Sequence, residues 1–241
     1  MVSLFNNHLI FGNMDLGNLG VIEDVSRSPL PTISTIEKKV LGADGSLYKS
    51  NSFAPLDIQA SIRLFNFSDY TIDKKINELM ELVYSKEMRP LNYKSKRTWY
   101  DAILVSIEDF ERYRNSYAYL TLVFRAPYPL ARSEYRIDRY KNFTDEVIEM
   151  DTPCSTKGIF TFTGNKNKIT NMRTGEFIEI LDGTSQNFLI DCEKHLVKFG
   201  SNRAMDRLSP YSDFFEIKPG DRIKAEKPVS LEYYERYLYD R

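Results

Sequence analysis

The sequence is poor in the residues from which functional sites are most often built. Its 241 residues include two histidines, two cysteines and one tryptophan, Trp99. Cys154 and Cys192 have neither CxxC spacing nor companions, so no metal site can be read from them. They are expected to be reduced, partly buried thiols rather than a disulfide. Charge of one sign is also missing: 33 basic residues face 34 acidic ones, a net charge of −1. A dedicated nucleic-acid binder concentrates Lys and Arg to displace counterions from phosphates, and this balance speaks against one. No apolar run approaches the roughly 20 residues that span a bilayer. The first residues, Met1-Val2-Ser3-Leu4-Phe5-Asn6-Asn7, lack the basic segment and apolar core of a secretory signal, which predicts folding in a cytoplasm.

Catalytic patterns are missing too. No G-x-S-x-G elbow is present to hold a serine nucleophile. Gly12-Asn13-Met14-Asp15-Leu16-Gly17-Asn18-Leu19 has P-loop glycine spacing, but Asn18 and Leu19 stand where the Lys and the Ser or Thr are required. Gly42-Ala43-Asp44-Gly45 is too short for a calcium loop and reads as a hairpin turn. His8 and His195 both stand in strand-like contexts, where a His is an ordinary half-buried polar residue far more often than a general base. Glu108, Asp109 and Glu111 read as solvated carboxylates, and the sequons at Asn66 and Asn142 carry no meaning without secretion. No catalytic, cofactor-binding or metal-binding residue is therefore assigned.

What the chain does have is aromatics and strand patterning. The 16 Tyr and 15 Phe fit either subunit contacts or simply a β-rich fold. Glycine occurs early and late but nowhere from Ser46 to Lys157, placing short-turned β-structure around a middle of longer elements. In Asp57–Phe65, Ile58, Ala60, Ile62 and Leu64 alternate with polar residues, as half-buried strands do. Ile103, Val105 and Ile107 repeat the pattern, as do Leu120, Leu122 and Phe124. One segment has helical spacing: Ile72, Ile76, Leu79, Met80 and Val83 predict an amphipathic helix of about four turns resting on a sheet. Ser68, Asp69 and Thr71 are its N-cap candidates.

The charged stretch Ala131–Phe143 reads as a linker or a solvated connecting strand, and the domain boundary is drawn near residue 138. Beyond it, Ile159–Thr163, Phe177–Ile180, Phe188–Asp191 and His195–Phe199 are short strands. Thr174-Gly175, Asp182-Gly183, Gly200-Ser201-Asn202 and Pro219-Gly220 punctuate them, as in a β-sandwich or barrel. Lys218-Pro219-Gly220-Asp221 has the residues of a type II turn. Phe214 and Phe215 are expected to split, one in the core and the other at an edge or under the Pro219-Gly220 turn, because neighbours on a strand point oppositely.

The order of these pieces resembles the distal tail protein family of long-tailed, non-contractile bacteriophages, often called Dit. In the first half the resemblance lies in the N-terminal hairpin, the Gly42–Gly45 turn, Ala54-Pro55-Leu56-Asp57-Ile58, the helix at Ile72–Tyr84 and a long hairpin ending in Phe124-Arg125-Ala126-Pro127. The second half carries the more specific signals: Ile169-Thr170-Asn171 leading to Thr174-Gly175-Glu176, Leu189-Ile190-Asp191, and Val197-Lys198-Phe199-Gly200-Ser201-Asn202. The sharpest is Ser212-Asp213-Phe214-Phe215-Glu216-Ile217-Lys218-Pro219-Gly220-Asp221-Arg222-Ile223.

The resemblance implies a mainly β protein, β-rich α+β in class. A tail-tube-like β domain with one helix (1–138) would precede a galectin-like β-sandwich (139–241). It also implies a structural virion protein at the tail tip, assembled in the host cytoplasm and not an enzyme. Six copies would form a homohexameric ring joining the tail-tube protein to the tail-tip or baseplate and receptor-binding proteins. DNA would pass through its channel without specific binding, and no cofactor, metal or membrane would be involved. Ring formation is expected from residues 1–138. The competing reading is a carbohydrate-binding tail module for host recognition, which the position of Trp99 in the N-terminal half disfavours, since sugar sites usually stack a ring on Trp. A tail-tube or other tail protein would leave the second domain unexplained.

Overall fold

The computed structural model describes residues 8–39, 46–65, 71–94, 96–114, 116–181 and 186–239. The chain divides into two compact units: Met1–Ala131 with Leu238–Arg241, and Arg132–Tyr237. Both are β-rich, and the described residues contain a single α-helix. The division falls before residue 138 because Ile137 already pairs with Tyr233 inside the second unit.

In the first unit, β1 (Leu9–Phe11) and β2 (Met14–Asp15) form a short hairpin. There follow β3 (Val21–Arg27), β4 (Ile33–Lys39), β5 (Ser46–Phe53) and β6 (Leu56–Phe65). Then come α1 (Ile72–Val83), β7 (Arg89–Tyr93), β8 (Thr98–Tyr113) and β9 (Tyr117–Ala126). The main sheet runs β2-β1-β7-β8-β9-β6-β3, with every pairing antiparallel. The alternation in β6 is obeyed along its length: Ile58, Ala60, Ile62 and Leu64 are fully buried, and their partners Phe124, Leu122, Leu120 and Ala118 on β9 join them.

The helix packs on β6 through Ile72, Leu79 and Val83. At 12 residues it is nearer three turns than four, because Tyr84 is already extended. Thr71 occupies the N-cap with extended backbone but makes no side-chain cap bond, while Ser68 and Asp69 lie outside the described residues. Instead Asp73 in the first turn meets Arg112 of β8 at 2.6 Å. The turn read at Gly42–Gly45 also lies outside the described residues; β4 and β5 on either side of it pair antiparallel.

Gly20, just before β3, is held where no side chain fits. A Cβ there would lie 2.6 Å from the Arg63 carbonyl oxygen and 2.8 Å from Leu64 Cδ2. Gly20→Ala is expected to cost about 1–3 kcal/mol, since buried backbone must move to admit one methyl group. Thermal melting of the variant checks this, and a parental melting temperature would show that the contact yields freely.

After β10 (Ala131–Ser133), the second unit contains β11 (Ile137–Val147), β12 (Gly158–Gly164), β13 (Asn167–Asn171), β14 (Phe177–Ile180) and β15 (Gln186–Asp191). It closes with β16 (Leu196–Phe199), β17 (Asn202–Arg203), β18 (Arg222–Tyr233) and β19 (Arg236–Tyr237). The long strand β18 organises it. One edge pairs with β11, and the other pairs first with β13 (Ile223–Ala225) and then with β12 (Ser230–Tyr233). Pro228, which has no N–H to give, stands in the gap between those two partners. The buried Asn167 side chain fills the missing rungs: its Oδ1 accepts from Lys227 N at 3.0 Å and its Nδ2 donates to Lys227 O at 3.3 Å. Two curled layers, β14-β13-β18 and β18-β12-β15-β16-β17, thus share one strand around a core that includes Phe160, Ile169, Phe188, Phe215 and Leu231.

Two local expectations are refined here. His195 is not in a strand. It ends the turn before β16 with left-handed backbone (φ 49), a turn fixed by Asp191 Oδ1 accepting from the N–H groups of Glu193 and Lys194. Phe215 is the core member of its pair, against the ring of Phe160, and Phe214 is half-buried under the ring of His195, at 5.1 Å, rather than under the Pro219-Gly220 turn.

Candidate functional site

The titratable groups do not assemble into a reaction centre among the described residues. His8 Nδ1 meets Asp15 Oδ2 at 2.9 Å beside the short β1–β2 hairpin. His195 Nε2 lies 3.3 Å from Lys157 Nζ and its ring is occupied by Phe214. Cys154 and Cys192 are both free and buried, and burial pushes the Cys192 thiol up to about 12, too high for a nucleophile at neutral pH. The segment with P-loop glycine spacing forms the β1–β2 hairpin and a 3-10 turn, Leu16–Asn18, capped by the Asp15 carboxylate. No group of three or more His, Cys, Asp or Glu that could hold a metal occurs among the described residues.

The strongest polar cluster pins a turn. Asp221, 1% exposed, accepts from Arg173 Nε at 2.5 Å, Asn171 Nδ2 at 2.8 Å and Lys218 N at 2.9 Å. Burial pushes its carboxyl pKa up, but the bonds from Arg173, Lys218 and Asn171 outweigh that and hold it below the ordinary carboxylate range. The turn itself has the expected form: Asp221 N donates to Lys218 O and Gly220 has φ 82, which a Cβ would strain.

Two surfaces stand out instead, both in the first unit. One is the outer half of β8. Beyond Ala102, its last partner on β7, the strand continues for the length of the β8–β9 hairpin, and Val105, Ile107, Phe110 and Tyr113 are 38–55% exposed. The alternation of Ile103, Val105 and Ile107 marks a strand correctly, but a register shift between Leu104 and Ser106 sets Ile103 opposite Arg125 and Ile107 opposite Leu122, so the three do not share one face. Glu108, Asp109 and Glu111 are exposed on the same stretch. The second surface is the ribbon of β4 and β5, which among the described residues pair only with each other. Ile33, Ile36, Tyr48 and Phe53 on it are 41–56% exposed.

A third feature is the face of β6 opposite the core. There Asp57 and Arg125, directly opposed across β6 and β9, form a bidentate pair at 2.7 and 2.9 Å, and Arg63 meets Glu23 at 2.5 Å. The hydrogen bond from Arg125 holds the Asp57 carboxyl below its ordinary value. Gln59 and Ser61 lie between these two ion pairs on the same face of β6.

Residues 149–237, most of the second unit, match the model for the siphovirus-type tail component, C-terminal domain, of the Dit type. The second unit carries a Dit-type tail-component domain. The fold agrees along the length of the chain. The crystal structure of phage SPP1 Dit (gp 19.1), described as a paradigm of the hub adsorption apparatus in phages infecting Gram-positive bacteria, superposes with a TM-score of 0.78. It is 14% identical and covers 96% of this chain and 99% of its own. A chain of the phage p2 baseplate, activated with strontium, gives a TM-score of 0.58 at 11% identity, covering 97% and 98%. The calcium-activated p2 baseplate gives 0.59 at 11%, covering 97% and 99%. At these identities the likeness is one of fold. No curated protein matches the sequence. The Dit resemblance read from Ser212–Ile223 and its neighbours therefore holds, and its sharpest signal lies within residues 149–237, which the family model covers.

Proposed function

We propose that this chain is a structural adaptor of a phage tail tip, a ring-forming hub between the tail tube and the baseplate or receptor-binding proteins, and not an enzyme. The observation that carries the reading is the agreement of fold over 96% of the chain with a protein described as an adsorption-apparatus hub. Physical features support it. The first unit exposes two separate apolar surfaces, which is what a heterologous, ring-closing contact requires of one chain. A face whose charges cancel in pairs suits a channel wall that DNA must pass without sticking, because no surplus cation gathers to displace counterions. Six copies, tail-tube and tail-tip partners, and a place in the virion tail complete the reading. The tail-tube-like and galectin-like characters of the two domains belong to it as well.

Ring formation is assigned to the first unit. In light scattering at rising concentration, a fragment carrying residues 1–131 is expected to self-associate to one defined stoichiometry while residues 132–237 stay monomeric. A hexameric second unit beside a first unit that never associates would reverse the assignment.

The sugar-binding alternative finds less support in the second unit. One groove, about 680 Å³ beside Asn142, Thr163, Asn187 and Ser230, has hydroxyls and amides, but its rings, Phe162 and Phe188, are buried and offer no exposed stacking face. The full chain is expected to show no millimolar affinity for host cell-wall saccharides in calorimetric titration. A saturable heat at that concentration would favour the alternative.

A further inference from the structure

We infer that a pocket in the first unit, walled by Arg27, Lys94, Lys96, Tyr93 and Tyr239, binds a doubly charged phosphate group, as free phosphate or as a small phosphomonoester. None of these residues belongs to the apolar surfaces or the ion pairs of β6 on which the hub reading draws, so the site stands or falls apart from it.

The pocket holds about 420 Å³, within the range of small-molecule sites. Its guanidinium is fixed by the fold before any ligand arrives. Arg27 ends β3, and its Nε donates to Tyr93 Oη at 2.6 Å. Its Nη1 donates to the carbonyl oxygens of Ser28 at 2.6 Å and Pro29 at 3.3 Å. The same group lies over the rings of Tyr100, at 5.6 Å, and Tyr239, at 4.8 Å. A cation held in this way loses little further freedom when an anion binds.

Both lysines stand on the turn between β7 and β8, which is pinned from inside. The buried Asn92 donates through Nδ2 to Lys96 O at 2.7 Å and to Thr98 O at 2.8 Å. Lys94 N donates to His8 O at 2.9 Å, and Lys96 N to Tyr93 O at 3.2 Å. Lys94 is left-handed, with φ 54, a conformation that a lysine rarely adopts without such restraint.

Charge selects the ligand. The three cations share the lining with one acid, Asp24, which is largely exposed and lies 3.7 Å from Lys94. Lys96 is half-buried and has no ion pair among the described residues. A partly desolvated ammonium without a counter-ion is costly, and an entering anion relieves that cost. A carboxylate or a phosphodiester brings a single charge and leaves part of the surplus unanswered. A phosphate dianion brings two, with three strong acceptor oxygens for the ammonium groups. The volume exceeds what the bare ion fills, which leaves room for a small group that carries it.

Calorimetric titration of the full-length chain at about pH 8 and constant ionic strength tests this. The probes are inorganic phosphate, glycerol 3-phosphate, dimethyl phosphate and acetate. At least one of the two dianions is expected to bind saturably at about millimolar concentration, and the two singly charged probes roughly tenfold more weakly. Which dianion binds tighter tells free phosphate from a monoester. Lys94→Gln with Lys96→Gln removes two of the three cations and is expected to weaken dianion binding roughly tenfold or more. A parental melting temperature confirms that this variant folds. Should it not fold, Lys96→Gln alone is read in the same way, with a loss of roughly threefold or more expected. A parent that gives no saturable heat with either dianion overturns the inference. So does a folded variant of parental affinity, or acetate binding as tightly as the dianions.

Discussion

Phe215→Ala is expected to destabilise the second unit by about 3–5 kcal/mol, the range for truncating a fully enclosed aromatic ring. Phe215 is 2% exposed and its ring lies 5.8 Å from that of Phe160 at the centre of the core. It is set there by a chain that is extended but in no strand, so few backbone bonds oppose its collapse into the space left behind. Phe214→Ala removes only a half-buried ring stacked on His195 and is expected to cost clearly less. Denaturant unfolding of the two variants measures the difference. Equal midpoints for Phe215→Ala and the parent would show that the ring does not support the core.

The second large effect belongs to Asp221. Asp221→Ala leaves the buried Asn171 amide and the Lys218 N–H without their carboxylate and frees the turn at the foot of β18. Bonds to a charged group are worth about 1.5–3 kcal/mol each, and Arg173, half exposed, adds little after solvent screening, so a loss of about 2–4 kcal/mol is expected. The same carboxylate gives the fold a pH dependence. Its folded pKa lies below the unfolded one, so its contribution is present above the ordinary carboxylate pKa and is lost as pH falls through the depressed folded value. Stability of the parent is therefore expected to fall more steeply below pH 4 than that of Asp221→Asn. Identical acid profiles would remove Asp221 from the account.

Sequence and structure agree where the information is local. The strict alternation of β6 needs only one buried face, and residues 56–65 report it directly. The helix face Ile72, Leu79 and Val83 follows from spacing, and the Lys218–Asp221 turn from Pro and Gly at fixed places. What the sequence hid is non-local. Asp221 looks like one more surface acid because its partners Asn171 and Arg173 lie 50 and 48 residues away. The change of partner along β18 has no local mark but Pro228, and Asn167, which bridges it, lies 60 residues off. Ile103 and Ile107 show the same limit. Alternation reveals the strand, but the register shift between Leu104 and Ser106 that puts Ile103 and Ile107 on opposite faces is set by pairing with β9 and leaves no local mark.

The proposed role of this chain as a ring-forming hub is tested most directly by particle images of the purified full-length protein. The account predicts rings of six copies with an open centre, appearing as concentration rises. Particles that remain single chains at every concentration, or that associate without a central opening, would contradict it.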